Sequence, residues 1–139
     1  MAVIVALVVA ALALLPSAVA DDGPRLSARH HTIEFAGETN HSDSDFRWRW
    51  AVTICSSRAA RIRLRHDMAE NDAPPGTGTS GSWYVRKERG GCKRYRYTYT
   101  GYNTQSVRSR VRVRWAGLRD TTSWAEATAP YDPAALRTD

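Results

Sequence analysis

Side chains of opposite character alternate at every second position along most of this chain. In "SVRSRVRVRW", residues 106–115, Arg108, Arg110, Arg112 and Arg114 interleave with Val107, Val111, Val113 and Trp115. A period of two marks a β-strand with one wet and one dry face, because successive side chains leave a strand on opposite sides. The same pattern sets Trp48, Trp50, Val52 and Ile54 against Arg47, Arg49, Thr53 and Cys55 in "FRWRWAVTIC". It sets Ile62 and Leu64 against Arg61, Arg63 and Arg65 in "ARIRLRH", and Tyr95, Tyr97 and Tyr99 against Arg94, Arg96 and Thr98 in "CKRYRYTYT". Weaker runs in "HTIEFA", "SWYVRKE" and "TSWAEAT" bring the expected total to about seven strands, and almost no helical period competes with them. Turn-forming stretches separate the runs: "AGETNHSDSD", "NDAPPGTGTSG", "RGG", "TGYNTQ" and "AGLRDTT". The segment Asn71 to Gly81 is too polar and too rich in Gly and Pro to pack, and reads as a surface loop.

Short strands at this spacing predict an all-β fold, a single seven-stranded antiparallel β-sandwich whose strands hide one face and wet the other. Its architecture resembles the immunoglobulin and fibronectin type III class. Cys55 and Cys92 are the only cysteines and are expected to form one disulfide. In the topology that the resemblance implies, the second and fifth strands are antiparallel neighbours, which brings Cys55 beside Cys92. Both fall on the arginine side of their strands, so the bridge would lie on the outer face of one sheet.

Residues 1–20, "MAVIVALVVAALALLPSAVA", have the outline of a secretory signal peptide, although no Lys or Arg precedes the apolar run. The run from Ala2 to Leu15 is shorter than the roughly 20 residues that cross a bilayer. Residues 21–130 then form the sandwich domain and 131–139 a disordered tail. The expected product is secreted, with no integral membrane segment after cleavage of the signal.

The chain carries 20 Lys and Arg against 14 Asp and Glu, a net charge of +6. A basic exported protein is drawn to anionic surfaces, although a bias towards Arg and Ala codons also enriches arginine. If the third strand pairs with the sixth, Arg61, Arg63, Arg65, Arg108, Arg110, Arg112 and Arg114 share one solvent face. These residues are the candidate ligand-binding site, since arginine offers a planar fork of donors to phosphate, sulfate or carboxylate groups. Like charges opposite one another are unfavourable, and the acidic residues that would relieve them, Glu38, Asp43, Asp45, Asp67, Glu70, Asp72 and Asp120, read as mostly loop residues. Trp124 and Glu126 alternate on the last strand, where they would stack on or pair with these arginines. The competing reading is that alternating arginines only keep a sheet face soluble and lay their stems over apolar groups beneath. Parity sends Tyr95, Tyr97 and Tyr99 to the core and leaves Tyr84 and Tyr102 as surface aromatics.

Catalytic signals are thin. His30, His31, His41 and His66 sit in no nucleophile motif, and adjacency in a strand sends His66 and Asp67 to opposite faces. His41, Asp43 and Asp45 alternate in "NHSDSD", with fewer oxygens than calcium needs. No catalytic residue, cofactor or metal is therefore expected. No DNA- or RNA-binding motif appears, which argues against a specific nucleic acid partner. The sequence points to a small secreted binding module that docks on an anionic polymer of the cell wall or a sulfated glycan. The alternative is an interaction or inhibitor module that presents the loop 71–81 to a protein partner.

Overall fold

The computed structural model describes residues 23–38, 45–70, 80–102 and 105–130. Within them lie eight strands: β1 (Leu26–Glu38), β2 (Asp45–Ser56), β3 (Ala60–Glu70), β4 (Gly81–Lys87), β5 (Gly91–Tyr102), β6 (Ser106–Trp115), β7 (Leu118–Thr121) and β8 (Ala125–Thr128). Every pairing is antiparallel. One sheet has the order β1-β2-β5; the other runs β4-β3-β6-β7, with β8 also paired to β6. Strand β6 therefore has β3 along one edge and β8 then β7 along the other.

The count is eight and not seven because "AGLRDTT", expected as a break, contains β7. The β6–β7 hairpin turns in two residues, Ala116 (φ 49°) and Gly117 (φ 80°), between the paired Trp115 and Leu118. Two-residue loops with both φ positive match the twist of a hairpin, and their usual signature is Asn-Gly or Asp-Gly. "Ala-Gly" lacks that signature. Trp124 also precedes β8, and Gly81, the expected end of a loop, is the first residue of β4. The signal segment, the tail, His41 with Asp43, and residues 71–79 lie outside the described residues.

Alternation places the core as the sequence predicts. Trp48, Trp50, Val52 and Ile54 are at most 2% exposed, and they face Ile62, Leu64, Met68, Val107, Val111 and Val113 across the two sheets. Each such aliphatic side chain contributes roughly 1.5–3 kcal/mol by leaving water. Tyr95, Tyr97 and Tyr99 pack half-buried against this core, and each hydroxyl finds a polar partner: Arg86 O, Trp83 Nε1–H and Glu70 respectively.

Polar groups tie the layers at their margins. Asp120 Oδ2 accepts the Ala28 N–H at 2.7 Å, joining β7 to β1. At the far end the buried Lys87 donates to Ser56 Oγ (3.1 Å) and to the carbonyls of Arg89 (3.2 Å) and Gly91. Cys55 and Cys92 lie directly opposite one another on β2 and β5, 4.0 Å apart at Cα, and form the disulfide on the outer face of their sheet.

A bulge in β1 between Arg29 and Thr32 turns His31 inward. His31 bridges the layers through Ala51 O (3.1 Å from Nδ1) and Ser109 Oγ (2.8 Å from Nε2). His66 stacks on Trp50 at 4.0 Å and meets the His31 ring edge-on at 6.0 Å. Burial lowers the pKa of both imidazoles, that of His66 to about 4.

Candidate anion-binding face

Strand pairing arranges the arginines of the larger sheet in rows. Arg63 lies opposite Arg114, Arg65 opposite Arg112, and Arg61 opposite Arg86 of β4. Arg114 is in turn opposite Arg119 of β7, and Tyr84 is opposite Arg63. One row thus reads Tyr84, Arg63, Arg114, Arg119 across four strands, a span of roughly 14 Å at the usual strand spacing. All seven sequence-predicted residues share this outer face. Arg86 and Arg119 join them, making nine arginines with Arg61, Arg63, Arg65, Arg108, Arg110, Arg112 and Arg114.

The acidic residue expected in a loop is the one that organises this face. Asp67 lies within β3, opposite Arg110, and its side chain is only 4% exposed because three guanidiniums cover it. Arg65 Nε donates to Oδ1 at 2.9 Å, Arg110 Nε to Oδ2 at 3.2 Å, and Arg112 reaches both oxygens at 2.8 and 2.7 Å. Burial alone would raise the carboxyl pKa, but the hydrogen bonds from Arg112, Arg65 and Arg110 more than offset that and hold it below the usual carboxylate range. Arg108 pairs with Glu126 at 2.7 Å. Trp124 underlies the guanidiniums of Arg110 (4.8 Å) and Arg108 (5.5 Å). The expected stacking and pairing by Trp124 and Glu126 are both present.

The face therefore has two halves of different electrostatic character. Arg65, Arg108, Arg110 and Arg112 are ion-paired, sharing Asp67 and Glu126 between them. Arg61, Arg63, Arg86, Arg114 and Arg119 have no carboxylate within 4.0 Å among the described residues. Arg63 donates instead to Ser82 Oγ at 3.1 Å, and Arg61 lies over the Tyr84 ring at 4.2 Å. Two adjoining recesses open here, of about 330 and 360 Å³, both walled by Arg63, Arg114 and Arg119; Arg65, Arg112 and Asp120 also line the first, and Arg61 the second. Tyr84, 55% exposed, is the one exposed large apolar side chain among the described residues, and it lines the second recess. The four arginines of the second recess, beside a flat ring, can hold an anionic group and pack against the ring that carries it.

The sequence matches no family model and no curated protein. Among solved structures, Bacteroides uniformis β-glucuronidase 2 superposes with a TM-score of 0.61 at 9% identity, over 76% of this chain and 14% of that one. The structural-genomics target SoR45 superposes with a TM-score of 0.51 at 11% identity, over 86% of this chain and 94% of that one. This chain thus spans a small part of the first protein and nearly all of the second. At such identities the likeness is one of fold alone.

Among the described residues, His31, His66 and Ser109 lie between the two sheets. His66 and Asp67 point to opposite faces, as adjacency in a strand requires, with His66 in the core. Ser109, whose hydroxyl meets His31, has no solvent exposure. A hollow of about 750 Å³ beside the disulfide has Arg25 and Arg29 as its charged lining residues. The side chain of Tyr102 lies outside the described residues.

Proposed function

We propose that this protein is an exported, non-catalytic binding domain of fibronectin type III-like architecture that docks on an anionic polymer, such as a cell-wall polymer or a sulfated glycan, through the outer face of its larger sheet. The supporting observation is the collection of Arg61, Arg63, Arg86, Arg114 and Arg119 at one end of that face with no carboxylate within 4.0 Å of them among the described residues. A face whose purpose is only solubility gains nothing from unrelieved repulsion between directly opposed arginines, whereas a polyanion relieves it. The Asp67 cluster supports the reading from the other side, because it fixes β3 against β6 and so holds the open arginines in register.

Heparin, a flexible sulfated polymer, is the probe. The variant Arg63→Ser/Arg114→Ser/Arg119→Ser should elute from immobilised heparin at much lower salt than Arg25→Ser/Arg58→Ser/Arg89→Ser. The two lose the same formal charge. Equal elution of the two variants would mean that net charge alone drives retention and would overturn the site. Arg110 and Arg112 are unsuitable for this test, since removing them strips partners from a buried carboxylate and perturbs the fold.

A further inference from the structure

The opposite side of the sandwich is basic as well. Arg29 of β1, Arg47 and Arg49 of β2, and Arg94 and Arg96 of β5 are exposed on the outer face of the smaller sheet. Glu34, 3.2 Å from Arg49, is the one carboxylate paired with them among the described residues. The intervening side chains are short: Thr32, Thr53 and Thr98 separate the arginines, and the Arg29 guanidinium rests on Cys55 Sγ at 3.1 Å. Arg94 of β5 lies across β2 and donates to the His30 carbonyl (3.1 Å) and Thr32 Oγ1 (3.1 Å) of β1. Arg47 and Arg96 have no hydrogen-bonding or ionic partner among the described residues. Two packed sheets are about 10 Å apart and turn their outer faces in opposite directions. An extended chain lying along one face leaves the other open.

From this placement we infer that the domain binds two strands of the same anionic polymer at once, one on each face, and thereby cross-links it. The inference rests on the polyanion-binding reading of the larger sheet. Charge complementarity identifies the occupant: five guanidiniums against one carboxylate among the described side chains repel a basic partner and attract another stretch of the polyanion. Bridging also adds avidity, since a domain held by one strand presents its second face at high local concentration to the next.

A sandwich-capture assay tests this. Heparin is fixed at low density on a surface, the purified protein is bound to it, and fluorescently labelled heparin is then passed over. The wild-type protein should retain the labelled chains. Arg47→Ser/Arg49→Ser/Arg96→Ser should still bind the surface but capture at least tenfold less label. Surface binding without capture by the wild type would overturn bridging and leave the polyanion site standing. Capture undiminished in the variant would also overturn it, and would assign bridging to self-association or to one chain wrapping the larger sheet. Failure of the wild type to bind the surface would overturn the proposed function, and bridging with it.

Discussion

Asp67 holds three guanidiniums with 4% of its own side chain exposed, so its removal has two opposed effects. Asp67→Asn loses charge-assisted hydrogen bonds, at a cost of about 2 kcal/mol once the exposure of the arginines is allowed for. It also frees Arg65, Arg110 and Arg112. The variant should unfold at lower urea and yet elute from heparin at higher salt; a folded variant eluting no later than wild type would contradict the division of the face. His66 and His31 govern a different response. Their pKa values are depressed in the folded protein, so their contribution is complete above the unfolded value of about 6.5 and is lost as pH falls toward about 4 for His66. His66 alone accounts for roughly 3 kcal/mol over that window. Asp67, also depressed, adds a second loss of stability below about pH 4. Urea unfolding from pH 7 to pH 3 should show both stages, and His66→Phe should flatten the first.

Strand β6 shows what an element's sequence does and does not reveal. The alternation of Arg108, Arg110, Arg112 and Arg114 with valines fixes its two faces, and the same parity rule places Arg61, Arg63 and Arg65 beside them. The ion-pairing role of Asp67 is hidden, because the alternation in β3 stops at four consecutive buried residues, His66 to Ala69, before the strand ends at Glu70. Parity still puts Asp67 on the arginine side. Strand β7 is hidden for another reason: four residues are too few to show a period, and Ala116 disguises the turn before them. With β7 unseen, Arg119 has no place on the face, although Arg119 and Thr121 do alternate with Leu118 and Asp120. A left-handed alanine costs about 1 kcal/mol, and asparagine tolerates that conformation. Ala116→Asn should therefore raise stability by up to about 1 kcal/mol in urea unfolding without altering heparin elution. A loss of stability would contradict the hairpin geometry.

At the scale of the whole molecule, the arrangement of charge matters more than its sum. Fourteen of the 18 arginines stand on the two outer sheet faces; Arg25, Arg58 and Arg89 lie in connections and Arg137 outside the described residues. A net charge of +6 would draw the protein to any cation exchanger, whereas the Tyr84, Arg63, Arg114, Arg119 row offers a polymer several contacts in fixed register. The two behaviours separate in salt. The decisive measurement is elution of the purified protein from heparin and from a plain sulfonate exchanger over the same salt gradient. An organised polyanion site predicts release from heparin at distinctly higher salt, with a steep dependence of affinity on salt that reports several charges engaged. Release from both columns at the same salt would contradict the account and leave the arginines as a solvated surface.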